Sequence, residues 1–215
     1  MAEHDYSRLI WDESGDLAAT LGELSEPEFD AMSLCEGWRV RDVVSHMIVG
    51  HTTPLPTILV EVAKNRFSVP KASFEASREY GSAHTAAEIR DAWTAVAAGH
   101  IRMGIAKTIS DKEGFIDHLV HHQDIRRPLG RPRAISSDRL VAALDGLPTI
   151  GGFLKSKQRM KGLSWRATDV DWTFGEGPEV SGPAEALILA ASGRTVVLPE
   201  ITGPGHAELA SRLAA

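Results

Sequence analysis

Leu9, Ile10, Leu17, Leu21 and Leu24 recur near a helical period over the first 24 residues, which predicts a helix ending before Ser25-Glu26-Pro27. After the short loop Leu34-Cys35-Glu36-Gly37, the apolar positions Val40, Val43, Val44, Met47 and Ile48 follow i, i+3, i+4, i+7, i+8. They predict an amphipathic helix that Pro54 and Pro56 should stop or kink. Ile58 to Ala63 has a helical pattern, whereas Phe67 to Pro70 and Gly81-Ser82 read as loop. Thr85 followed three residues later by Glu88 is a capping-box pattern and opens a helix predicted to run to Ile105. The next helix is expected from Asp111 to Arg127, closed by Pro128 and Gly130, and a further one over residues 137–159 with a break at Gly146-Leu147-Pro148.

Beyond Gly162 the pattern changes. The stretch LSWRATDVDWTF alternates with a period of two and carries two of the five tryptophans, so it reads as strand. Gly175-Glu176-Gly177-Pro178 supplies a turn, GPAEALILAASG a short helix ending at Gly193, and HAELASRLAA a last helix. The expected fold class is therefore mainly α, with a helical domain over residues 1–160 and a small α+β domain over residues 161–215.

Composition narrows the function. Hydrophobic residues at 43% and charged residues at 24% are those of a globular chain. The net charge is −6, and no stretch concentrates Lys and Arg with interleaved aromatics, which argues against a nucleic-acid partner. Apolar runs such as EALILAAS fall short of the roughly 18 residues a membrane span needs. The charged N-terminus MAEHDYSRLIWDESGD lacks a secretory apolar core, so a cytoplasmic location is expected. The single cysteine, Cys35, has no internal disulfide partner, and any thiol chemistry draws on a thiol from elsewhere.

Five of the nine histidines fall into two groups, His46 with His51 and His118 with His121 and His122. Residues four apart on a helix share a face, so Asp117 with His121 and His118 with His122 are both candidate metal-binding pairs. Phe115, Ile116, Leu119 and Val120 form the apolar face between them, and periodicity leaves the choice open. A carboxylate plus an imidazole suits zinc or a similar divalent ion, which favours Asp117 and His121, and Asp124 is spaced to orient His121 from behind. The bland alternative is a set of solvated histidines near a helix C-terminus. On the earlier helix His51 projects among Val40, Val44 and Met47 while His46 lies on the flank. A lone histidine on an apolar face is more often a hydrogen-bonded core residue than a ligand, so this pair also stays open.

The run Cys35-Glu36-Gly37-Trp38-Arg39-Val40-Arg41-Asp42-Val43-Val44-Ser45-His46 resembles the N-terminal signature of the mycothiol-dependent maleylpyruvate isomerase family, within the wider DinB-like group. Asp117-His118-Leu119-Val120-His121-His122-Gln123-Asp124-Ile125-Arg126 resembles its second signature, and TDVDWTFGEGPEVSGPAEALILAASGR its appended C-terminal domain. The resemblance implies a DinB-like four-helix bundle followed by a small α+β domain, with His46, Asp117 and His121 as the ligands of one divalent metal, zinc by preference. Asp117 stands where the family's first enzyme has a glutamate, a shorter arm.

Three protein ligands leave a position open on such an ion, as in catalytic rather than structural zinc sites. The expectation is an enzyme in which mycothiol, a low-molecular-weight thiol, is activated as the thiolate for isomerisation of, or transfer to, a small electrophile, by a monomer or homodimer. Arg194, in a Gly-Arg pair that matches the family's appended domain, is the candidate catalytic residue for a substrate carboxylate, against a bland role as a helix-terminal cation. Cys35 and Trp38 read as packing residues. The alternatives are hydrolysis by a metal hydroxide, or a non-catalytic sensor or metal-stabilised protein whose fourth ligand is His51, His118 or His122.

Overall fold

The computed structural model describes residues 3–151 and 154–214. Met1, Ala2, Gly152, Phe153 and Ala215, which fall within the first predicted helix, the predicted 137–159 helix and the last one, lie outside the described residues.

The helical part comprises α1 (Tyr6–Glu23), α2 (Glu26–Asp30), α3 (Val40–Thr52), α4 (Leu55–Lys64), α5 (Val69–Ala83), α6 (Ala86–Gly99), α7 (Asp111–Arg126), α8 (Ser137–Gly146) and α9 (Ser156–Met160). Helices α1, α3, α6 and α7 pack on one another as a four-helix bundle, with α5 laid along α3. Leu17, Leu21, Val40, Val44, Met47, Ile48, Ile89 and Trp93 fill its centre. The apolar residues on which the α1 and α3 predictions rest are thus removed from water, whereas Leu59 and Val60 of α4 stay exposed.

Several boundaries differ from the sequence pattern for identifiable reasons. Ser25-Glu26-Pro27 ends α1 but also starts α2, because Ser25 and Glu28 form a capping box and proline is tolerated in a first turn. Pro54 and Pro56 act likewise, stopping α3 and opening α4 at Leu55. The capping box at Thr85 and Glu88 is present, but α6 stops at Gly99, where His100 takes a left-handed conformation with φ of 49°. Residues 104–107 follow as a 3-10 turn rather than a continuation of α6. The 137–159 segment divides into α8 and α9.

The largest correction is α5, which starts at Val69, inside the first predicted loop whose Phe67-Ser68 stay non-helical, and runs through the second. Pro70 occupies its first turn, and Gly81-Ser82 lie inside it. Gly81 is there for packing, since a Cβ at that position would sit 2.6 Å from Asp42 Oδ1 and 3.2 Å from Ser45 Oγ on α3. Gly81→Ala gains about 1 kcal/mol of helix propensity. The forced separation of α3 and α5 is expected to outweigh that, for a net loss of about 1–2 kcal/mol in urea unfolding.

The C-terminal part comprises β1 (Ser164–Ala167), β2 (Thr173–Phe174), β3 (Glu179–Gly182), α10 (Ala184–Ala191) and α11 (His206–Leu213). The order is β2-β1-β3, with β1–β2 antiparallel and β1–β3 parallel, placing Trp165 opposite both Phe174 and Val180. The third strand falls in a segment whose pattern announced only the turn before it. Trp165, Val180, Leu187 and Ile188 share one buried cluster with Ile10, Phe115, Ile116, Leu119 and Val120 of α1 and α7. Helix α7 therefore lies between two cores and is buried on nearly every side. Its polar side chains sit away from water and must find partners. No helix among the described residues is long and apolar enough to cross a membrane.

Candidate metal centre

Burial of α7 sorts its polar residues by direction. His118 and His122 turn toward α1. His118 Nδ1 meets Ser14 Oγ at 2.9 Å, and its Nε2 lies 3.0 Å from His51 Nε2. His51 donates from Nδ1 to the Ile101 carbonyl at 2.6 Å, so its Nε2 accepts from His118. Burial pushes His118 down to about 3, and it is neutral. His122 donates from Nδ1 to Glu13 and meets Thr20 Oγ1 at 2.8 Å through Nε2. Both ring nitrogens of all three histidines are thus taken up in the protein's own hydrogen bonds. His51, which the sequence pattern left open as ligand or core residue, is a hydrogen-bonded core histidine.

Asp117 and His121 lie on the other side of α7, facing α3. His121 Nε2 is 3.5 Å from Asp117 Oδ1, and the rings of His121 and His46 are 5.3 Å apart between centroids. Each histidine is anchored through Nδ1. His46 Nδ1 is hydrogen-bonded to Ser73 Oγ of α5 at 3.0 Å, and His121 Nδ1 donates to Asp124 Oδ2 at 2.9 Å. Their Nε2 atoms make no hydrogen bond among the described residues. A histidine held by one ring nitrogen and presenting the other is the arrangement that second partners give to metal ligands.

The charges fit a cation. Burial opposes ionisation of Asp117, but His121 and His46 lower its pKa. Burial also opposes the His121 imidazolium, yet Asp117 and the hydrogen bond to Asp124 raise it well above the ordinary histidine value. Burial, then the charge on His121, pushes His46 down to about 4. Asp117 and Asp124 thus place two carboxylates on either side of the His121 ring, a donor set that favours positive charge.

Another donor set is tighter. Cys35 Sγ, His121 Nδ1 and Asp124 Oδ2 lie within 4.8 Å of one another, a convergence that His46 and Asp117 do not complete with His121. Chemistry disfavours this set as a cation site. Arg194 Nε donates to Asp124 Oδ1 at 2.9 Å, its Nη2 donates to Asp124 Oδ2, and Nη2 is 3.8 Å from the Cys35 sulfur. Burial opposes the Asp124 charge, but His121 and the Arg194 guanidinium hold its carboxyl well below the usual range. A guanidinium already neutralises that corner, so we read it as the support behind His121. Asp124 takes the orienting place its spacing suggested. Arg194, in the loop after α10, is engaged with Asp124 and the Ser192 carbonyl.

Sequence reasoning missed Ser73, which lies on the unrecognised helix α5. It also read Cys35 as a packing residue, whereas its thiol donates to Asp124 Oδ2 at 3.2 Å. The partners are 27 and 89 positions apart, and no local periodicity links them.

The fold is mainly helical, a bundle followed by a small three-stranded sheet with its helices. Residues 10–103 match the family described as mycothiol maleylpyruvate isomerase N-terminal domain. His46 lies inside the matched segment; Asp117 and His121 lie beyond it. The structure is similar to a crystal structure of the mycothiol-dependent maleylpyruvate isomerase, with a TM-score of 0.61, 16% identity, and 93% of this chain and 91% of that chain covered. A histidine-to-alanine mutant of that isomerase matches at the same TM-score, 15% identity and the same coverage. No curated protein matches the chain by sequence.

Proposed function

We propose that this protein is a cytoplasmic, metal-dependent enzyme that activates mycothiol for isomerisation of, or sulfur transfer to, a small electrophile. The observation that carries this reading is the pair of anchored histidines, His46 and His121, whose free Nε2 atoms share one side of α7 with Asp117. His46, Asp117 and His121 would hold the ion, and a bound divalent metal supplies Lewis acidity that favours the thiolate form of the thiol. Asp124 fixes the His121 tautomer by accepting from Nδ1, and Arg194 keeps Asp124 ionised and in place. Ser73 holds His46 in register. His51, His118 and His122, the candidates for a fourth protein ligand, are engaged elsewhere, which supports an open coordination position and a catalytic rather than structural ion.

The test is to incubate the zinc-loaded protein with maleylpyruvate and with a panel of electrophiles, each with and without mycothiol. Thiol-dependent turnover is expected. Turnover that is equal without thiol would replace this reading by hydrolysis.

A further inference from the structure

Trp38 ends the Cys35–Trp38 loop, and its ring lies beside His46. Its centroid is 5.1 Å from that of His46, and it stacks at 6.2 Å and 28° on Phe74 of α5. Gly37 has a φ of 75°, and a Cβ there would come 3.2 Å from the Phe74 ring, so the loop is pressed onto Phe74 and Trp38 is fixed in place. The two rings form a flat apolar wall next to His46.

The indole N–H of Trp38 is buried and has no hydrogen-bond partner among the described residues. Three other tryptophans in the chain obey the usual rule that a buried indole donates. Trp93 bonds the Ser14 carbonyl at 3.1 Å, Trp165 the Met160 carbonyl at 3.2 Å and Trp172 the Asp145 carboxylate at 2.9 Å. An unpaired buried donor is costly, and the ring that carries this one lies beside His46.

Resting on the function proposed above, we infer that Trp38 is a substrate-positioning residue whose indole N–H receives a carbonyl or carboxylate oxygen of the electrophile. The flat Trp38–Phe74 wall takes the face of a planar, conjugated substrate. The neutral N–H suits an oxygen acceptor, while the sulfur of the cosubstrate belongs with the ion. In the free protein the N–H contributes nothing favourable. Trp38→Phe, which keeps the ring stack, is therefore expected to leave the thermal midpoint unchanged or slightly raised and metal content unchanged. It should raise KM for the electrophile roughly tenfold, the equivalent of one hydrogen bond, with KM for mycothiol unchanged. A merely structural tryptophan would lower the midpoint and leave both KM values alone.

A binding measurement separates this inference from the reading beneath it. In nitrogen-15-labelled, zinc-loaded protein, the Trp38 indole resonance is assigned by its loss in Trp38→Phe and followed during titration with maleate, a stable planar dicarboxylate, and separately with mycothiol. A downfield shift with maleate is expected. A shift with mycothiol alone, or no shift with either while thiol-dependent turnover is intact, overturns the role of Trp38 and leaves the enzyme reading standing. Absence of zinc binding and of thiol-dependent turnover removes the enzyme reading, and this role with it.

Discussion

Replacing His121 with alanine is expected to remove stoichiometric metal from the protein. His121 is the residue on which the site converges: its Nε2 faces Asp117, its ring faces His46, and its Nδ1 is bonded to Asp124. With that imidazole gone, one carboxylate and one histidine remain, too few donors for a tetrahedral zinc site. Elemental analysis after dialysis should find far less than one zinc per chain in the variant, against one in the parent. Asp124→Asn keeps all three proposed ligands but weakens the acceptor that orients His121. Its zinc affinity is expected to fall by about 10- to 100-fold, the usual cost of losing a second partner. Undiminished zinc in both variants would place the ion elsewhere.

Glu13→Ala is expected to cost about 3–5 kcal/mol of stability, the penalty for leaving buried charges without their counter-ion. Glu13 is fully buried on α1, where it accepts from His122 Nδ1 at 2.8 Å, from Arg139 at 3.2 Å and from Arg133. It therefore ties α1 to α7 and to the chain leading into α8. Burial opposes its charge, but the His122 hydrogen bond and Arg133 hold the carboxyl down at about 2, from an ordinary 4.5. A depressed carboxyl pKa stabilises the fold above the unfolded value and loses that contribution as pH falls through the folded one. Urea unfolding should therefore show the parent's advantage over Glu13→Ala intact above pH 4.5 and shrinking toward pH 2. An unchanged midpoint in the variant would remove this network from the account of the fold.

The sequence made the helical bundle legible because its core helices, α1, α3, α6 and α7, carry apolar residues in helical register. It could not show α5, whose interior glycine makes sense only once Asp42 and Ser45 of the neighbouring helix are in place against it. Nor could it show β3, a four-residue strand that gains its identity by pairing with β1. The site divides in the same way. An acid and a histidine four apart on α7 are visible in one dimension. Which face of α7 turns to α1 and which to α3 is decided by packing, and packing sends His118 and His122 to Ser14, Thr20 and Glu13. Arg194 was visible as a Gly-Arg pair, but its partner Asp124 lies 70 positions away and only the fold joins them.

X-ray absorption of the zinc-loaded protein, recorded before any thiol is added, tests the central claim most directly, because it distinguishes His46, Asp117 and His121 from the tighter set of Cys35, His121 and Asp124. The proposed site predicts only nitrogen and oxygen neighbours at about 2.0–2.2 Å, with two imidazoles among them. A sulfur neighbour at about 2.3 Å in the thiol-free protein, lost in Cys35→Ser, would put the ion on Cys35 and contradict the account.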